Sequence, residues 1–143
     1  MTSTILPGAT VFQGGCLCGA VRYRVTGLPT KVNICHCGQC QRQTGAPFAA
    51  FAAYPLDRFD LLSGQPAGYR ASDLAVREFC AACGSTLFWR ADDGVVLDIF
   101  LGGFDNPAAF PPPDYALWTR HRLPWLPPLP GVHHYPETRL SQK

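Results

Sequence analysis

Seven cysteines fall into three short clusters, and this pattern constrains the chain more than any other feature of its sequence. Four of them form two pairs, Cys16 with Cys18 and Cys80 with Cys83, and the other three lie within the segment 35–40. Close spacing with an odd cysteine count favours metal binding in a reducing compartment over a disulfide framework. Thiolates suit zinc, which takes four tetrahedral donors at about 2.3 Å from each sulfur. The sequence therefore predicts a zinc protein.

The cysteines divide most simply into a group of four and a group of three. The segment from Val76 to Trp89 is interpreted as two strands joined by a Cys-x-x-Cys-Gly knuckle, which is typical of half a structural zinc site. The remaining pair completes this site, and the other three cysteines are left to form a second one. The predicted ligands of two zinc ions per chain are Cys16, Cys18, Cys80 and Cys83 for the closed site, and Cys35, Cys37 and Cys40 for the second.

The second site has one donor fewer than zinc prefers. Catalytic zinc sites keep such an open position for substrate, whereas a fourth protein ligand would make the site purely structural. His36 points away from its two neighbouring cysteines in an extended segment, so we interpret it as a non-ligand beside the site or facing solvent. Gly38 permits a left-handed turn that aims backbone amides at thiolate sulfur, and the same Cys-Gly step recurs at Gly19 and Gly84.

Charged and aromatic residues near these motifs supply candidate substrate-binding groups. Residues 39–44 are predicted to form one or two helical turns that place Arg42 near the second site. Arg42 and Arg120 are candidates for balancing a substrate carboxylate, although a solvated surface arginine is an equal interpretation of Arg42. Asp98, the one carboxylate of a β-branched strand, is interpreted as a residue of the solvated face. The segment 118–125 either rims a pocket over the second site or covers a sheet face.

Composition limits the fold and the partners. A chain of 143 residues suits one domain, 1–143, and its 14 glycines and 14 prolines indicate many turns and short strands. Alternating and apolar runs predict a mainly β fold with short helical turns. A net charge of +2 without a Lys/Arg run argues against nucleic acid as a partner. Residues 1–8 lack a leader pattern and no apolar run reaches membrane-spanning length, so we expect a cytoplasmic protein with no membrane partner.

Three motifs in order resemble those of a known family. They are Gly-Cys-Leu-Cys-Gly at 15–19, Cys-His-Cys-Gly-Gln-Cys-Gln-Arg-Gln-Thr-Gly at 35–45 and Phe-Cys-Ala-Ala-Cys-Gly at 79–84, followed by matches at 103–107, 118 and 124–126. The chain resembles the glutathione-dependent formaldehyde-activating enzyme family, also called the centromere-protein-V-like family. The resemblance implies an Mss4-like zinc-binding β-sheet fold, with a structural zinc on the group of four cysteines and a second zinc on the group of three.

The resemblance also implies carbon-sulfur bond making or breaking between a thiol such as glutathione and an aldehyde such as formaldehyde. Our hypothesis is that a small-molecule thiol ionises at the open zinc position and adds to the aldehyde, giving for example S-hydroxymethylglutathione, or that a lyase reaction reverses this step. Ala116 replaces the histidine of the family's His-Ile-Trp motif. Two alternatives stay open: a non-catalytic Mss4-like zinc scaffold, and a redox-sensitive module that releases zinc when the three cysteines are oxidised.

Overall fold

A computed structural model describes residues 9–140, and the prediction of a mainly β fold with short helical turns is confirmed. Within this range the α-helix α1 is Gly38–Thr44. The strands are β1 (Val11–Gly15), β2 (Arg22–Thr26), β3 (Lys31–Cys35), β4 (Ala49–Pro55), β5 (Phe59–Ser63), β6 (Ala67–Arg70), β7 (Ala75–Phe79), β8 (Thr86–Ala91), β9 (Val96–Phe100), β10 (Tyr115–Leu117) and β11 (His133–His134). In the described part of the chain no helix has the length and apolar character needed to cross a membrane. The leader prediction concerns residues 1–8, which lie outside the described residues.

The strands form a small and a large sheet. The small sheet has the order β1-β2-β5, and the large sheet has the order β11-β10-β3-β4-β9-β8-β7-β6. Most neighbours are antiparallel, but β10 runs parallel to both β3 and β11. This parallel pairing brings the C-terminal part of the chain beside the strand that leads into the group of three cysteines. The expectation of a single domain over 1–143 stays a prediction.

Aromatic side chains join the small sheet to one face of the large sheet. Tyr23 of β2 is fully buried, and its ring centroid lies 5.9 Å from that of Phe59 and 5.3 Å from that of Phe88. Gly14 lets β1 approach this cluster, because a Cβ there would lie 2.4 Å from the Tyr23 hydroxyl and 2.5 Å from the carbonyl oxygen of Gly103. One face of the large sheet is therefore closed by packed apolar surface.

The opposite face of the large sheet carries charged side chains and the first cysteine of the group of three, because strand residues alternate between faces. One row crosses five strands, since consecutive partners in the sheet register are Lys31, Ala53, Asp98, Trp89 and Arg77. Four residues further along β3, this face ends at the first of the three clustered cysteines. The same face therefore carries both a thiolate cluster and a row of charged groups.

Candidate metal centres and the adjoining cavity

Four cysteines from two distant loops converge into one cluster. The sulfurs of Cys16, Cys18, Cys80 and Cys83 lie within 4.8 Å of one another. The Sγ atom of Cys18 is 3.6 Å from that of Cys16 and 3.8 Å from that of Cys80. Four sulfurs at about 2.3 Å from a tetrahedral zinc would be about 3.8 Å apart, so this donor set fits the predicted closed site.

Left-handed glycines and short hydrogen bonds shape both loops of this cluster. Gly19 and Gly84 have φ of 81° and 80°, which favours glycine after each cysteine pair. The backbone N–H of Val21 donates to the Cys16 sulfur at 3.2 Å. Ser85 joins the loops, because its hydroxyl accepts from the backbone N–H of Leu17 at 2.8 Å. Such donors favour ionised sulfur, which is the form that binds a metal.

The group of three cysteines forms where β3 passes into α1. Its three sulfurs also lie within 4.8 Å of one another. Cys35 ends the strand, Cys37 is the N-cap residue of the helix, and the backbone N–H of Cys40 donates to the Cys37 sulfur at 3.3 Å. Gly38 corrects our expectation of a left-handed turn, because it is the first residue of α1 and is not among the glycines with positive φ. The helical turn itself brings Cys40 back over the cluster.

The three thiols titrate as a unit. Hydrogen bonding with Cys35 lowers the pKa of Cys37 far below the ordinary thiol value, and the same contact raises the pKa of Cys35. The protons that remain after one thiol ionises are therefore shared among the sulfurs of the group. A metal that binds all three sulfurs must displace the remaining protons, so its affinity for this group rises with pH.

A buried arginine contacts this cluster. The Arg77 guanidinium is 3.7 and 3.8 Å from the Cys40 sulfur through its two terminal nitrogens. The same group donates to the side-chain oxygen of Gln43 at 2.5 Å and to that of Gln39 at 3.4 Å. The residue is only 7% exposed, so its positive charge is directed at the thiolates rather than at solvent. Nothing local in the sequence separates Arg77 from an ordinary solvated strand arginine.

His36 is separated from the metal-binding group, as its alternation in sequence suggests. It does not belong to either cysteine cluster and is only 2% exposed, so the solvent-facing interpretation is wrong. Its ring centroid lies 5.6 Å from that of Phe48. Burial lowers the pKa of His36, which keeps the imidazole neutral in this apolar setting.

A cavity of about 670 Å³ opens beside the three cysteines, and all three line it. Its apolar lining includes Phe51, Trp89, Leu117 and Trp118. Trp118 has φ of 54°, a strained value for a residue with a side chain, and its ring stacks at 5.9 Å on that of His121. Both residues line the cavity, so part of the segment 118–125 rims it, whereas Trp125 is 70% exposed.

The two arginines proposed from sequence as substrate partners lie elsewhere. Arg42 is exposed on α1 and Arg120 is exposed and hydrogen-bonded to Glu137, and neither is among the residues lining the cavity. Their contact with substrate stays a prediction. The cations that do line the cavity are Lys31, Arg77 and Arg139.

Asp98 also lines this cavity, which corrects its interpretation as a residue of the solvated face. Its Oδ1 atom is buried without a hydrogen-bond partner among the described residues. Burial raises the pKa of Asp98 to about 6, and the positive charge of Lys31 offsets only part of this effect. The sequence shows its place on β9 but not that this face of β9 lies under a cavity.

The geometry can now be compared with known proteins. An uncharacterized lyase of Schizosaccharomyces pombe is 31% identical over 84 residues, which are 58% of this chain and 60% of that protein. A crystal structure of a Rhodobacter sphaeroides protein matches with a TM-score of 0.54 and 19% identity, covering 85% of this chain and 98% of that chain, and shows a shared fold. Residues 11–121 match the family described as glutathione-dependent formaldehyde-activating enzyme. The two cysteine clusters on a mainly β fold agree with the predicted Mss4-like architecture. The chain therefore belongs to the glutathione-dependent formaldehyde-activating enzyme family.

Proposed function

We propose that this protein makes or breaks the carbon-sulfur bond between a small thiol and an aldehyde, with S-hydroxymethylglutathione as one such adduct. The observation that supports this function is the cavity beside the incomplete three-cysteine group, while the four-cysteine group has a full set of donors. The family description names glutathione and formaldehyde, and the yeast relative is named a lyase.

The cysteine clusters would hold two zinc ions. Cys16, Cys18, Cys80 and Cys83 would hold a structural ion, and Cys35, Cys37 and Cys40 would hold the second. When bound to the group of three, zinc supplies an open coordination position that lowers the pKa of an incoming thiol.

The reaction balances without net oxidation or reduction. In the forward direction a thiolate lone pair forms the bond to the carbonyl carbon, the π pair of the carbonyl moves to oxygen, and the oxygen takes a proton from water. In the reverse direction the hydroxyl gives up its proton, the carbonyl reforms, and the carbon-sulfur pair returns to sulfur. The protein must therefore bind a thiolate and admit a small carbonyl compound beside it.

The chain's own residues suit both tasks. Arg77 hydrogen-bonds to the Cys40 sulfur and offsets the charge that accumulates when several thiolates meet. Gln39 and Gln43 hold its guanidinium in place. Trp89 and Trp118 line the cavity with apolar surface that limits the access of water to the reacting sulfur.

Two measurements test this function. Exchange NMR on zinc-loaded protein should show faster interconversion of glutathione, formaldehyde and their adduct, and Cys37→Ser should abolish the acceleration while staying folded. Adding glutathione to the cobalt-substituted protein should change its absorption spectrum, whereas S-methylglutathione, whose sulfur cannot ionise, should not cause the same change.

The alternatives predict different results. If no small thiol changes the cobalt spectrum and no exchange is accelerated, the scaffold interpretation is favoured. Zinc loss at low peroxide doses, without thiol-dependent changes, would favour the redox-sensitive module instead.

A further inference from the structure

The side of the cavity away from the cysteines presents two opposite charges with a gap between them. Lys31 and Asp98 lie in one row across the sheet, separated by Ala53 on the strand between them. The ion pairs found among the described residues include neither Lys31 nor Asp98. The buried Oδ1 atom of Asp98 also has no hydrogen-bond partner among these residues. Ala53 itself is fully buried, and Lys31 and Asp98 on either side of it both line the cavity.

Distance argues against a direct chemical role for Asp98. Its row meets β3 at Lys31, four residues from Cys35, and Asp98 itself is two strands away. With about 3.3 Å per residue and 4.8 Å between strands, the Cα atoms of Cys35 and Asp98 are about 16 Å apart. A proton-transfer group must lie within about 3 Å of the atom that it serves, or act through one water. Asp98 is therefore placed to contact the remote end of a substrate.

We infer that Lys31 and Asp98 form a binding slot for an amino-acid group, with Asp98 taking its ammonium and Lys31 its carboxylate, at the end of the thiol remote from sulfur. This inference rests on the proposed function in so far as the ligand is a thiol. A thiol of tripeptide length spans roughly 10 Å when extended, and the lengths of the Cys35 and Asp98 side chains account for the rest of the separation of about 16 Å between their Cα atoms. The slot selects thiols carrying a free α-amino group over thiols that are equally long but lack it.

The charge state of the free slot supports the inference. A carboxylate with one buried oxygen that lacks a hydrogen-bond partner is unfavourable, and burial raises the pKa of Asp98 to about 6 although the charge of Lys31 opposes this rise. A ligand ammonium would supply the missing counter-charge. Arg139 also lines the cavity but lies over the Tyr115 ring, with its guanidinium carbon 5.0 Å from the ring centroid. Arg77 is directed at Cys40, so Lys31 is the cation of the Asp98 row that remains for a carboxylate.

Calorimetric titration of zinc-loaded protein with S-methylglutathione tests the slot without using thiolate chemistry, because the sulfur is blocked. We expect binding by the native protein, a loss of about tenfold or more in affinity for Asp98→Asn, and a similar loss when the ligand's α-amino group is acetylated. Acetylation should not weaken binding to Asp98→Asn further. Lys31→Met should also weaken binding, whereas Asp57→Asn, an exposed carboxylate with the same charge change, should not.

Undetectable binding of S-methylglutathione to the native protein would contradict the proposal that Lys31 and Asp98 form a binding slot. An unchanged affinity in Asp98→Asn, or an equal effect of acetylation on native and variant proteins, would overturn it as well. If S-methylglutathione binds as expected but no thiol-aldehyde exchange is accelerated, the slot stands and the proposed reaction fails.

Discussion

Replacing Asp98 by asparagine should stabilise the protein near neutral pH, because the carboxylate is buried without a hydrogen-bond partner for its Oδ1 atom. The pKa of its carboxyl rises from 3.8 to about 6 in the folded chain. The fold therefore holds this proton more tightly than the unfolded chain does, so the native state is relatively favoured in acid. The free energy of unfolding decreases as the pH rises through the range from 3.8 to about 6. Above about pH 7 the folded protein bears the full cost of ionising the buried Asp98 carboxyl.

The size of the effect follows from the two pKa values. Moving a carboxyl pKa from 3.8 to about 6 corresponds to about 3 kcal/mol, of which roughly half is already present at pH 5. Asparagine has nearly the same shape but cannot ionise. The stability of Asp98→Asn relative to the native protein should therefore rise by about 1.4 kcal/mol between pH 5 and pH 7.5.

Urea unfolding at fixed free zinc, at several pH values, measures this difference. Lys31, Arg77, Arg139 and Tyr115 line the same cavity as Asp98 and are present in both proteins. All ionisable groups other than Asp98 are common to both proteins, so the comparison isolates the contribution of residue 98. Asp57→Asn serves as the control for charge. A difference that stays constant with pH, or that falls as the pH rises, would refute the burial argument.

The remaining predictions concern the clusters and the core. Cys80→Ser should unfold or insolubilise the protein, since a closed zinc site contributes on the order of 10 kcal/mol, whereas Cys37→Ser should stay folded. Circular dichroism and zinc content test this, and equal folding with full metal in both would contradict it. Arg77→Met should weaken zinc binding at the three-cysteine group about tenfold in chelator competition, with Arg77→Lys intermediate, and an unchanged affinity would argue against the contact. Gly14→Ala should cost about 2 kcal/mol or more, because its Cβ would lie 2.4 Å from the Tyr23 hydroxyl, and an unaltered Tm would show that the strands can separate.

The sequence predicts those features that depend on short-range spacing. The Cys-x-x-Cys pair at Cys80 is carried by a turn between two adjacent strands, so both the knuckle and its flanking strands follow from local pattern. The helical turn after Cys37 is predictable for the same reason, since Gly45 ends it with φ of 65°. The residues of both clusters are therefore visible before the fold is known.

The other residues of the site could not be predicted from the sequence, because their positions depend on how strands that are distant in the chain pair with one another. Asp98 faces the cavity because β9 lies between β4 and β8, an order that no local pattern specifies. Arg77 contacts a cysteine 37 residues earlier in the chain because the fold places its strand β7 within hydrogen-bonding reach of α1. The parallel pairing of β10 with β3 similarly brings Trp118 to the cavity. These long-range neighbours determine which charged groups belong to the site.

The most direct test of the two-cluster account is a zinc count combined with X-ray absorption spectroscopy at the zinc edge. The account predicts two ions per chain, one bound by four sulfurs and one bound by three sulfurs and an exchangeable fourth ligand that glutathione replaces with sulfur. A single ion in fully loaded protein, or a protein donor that permanently occupies the fourth position at Cys35, Cys37 and Cys40, would contradict it.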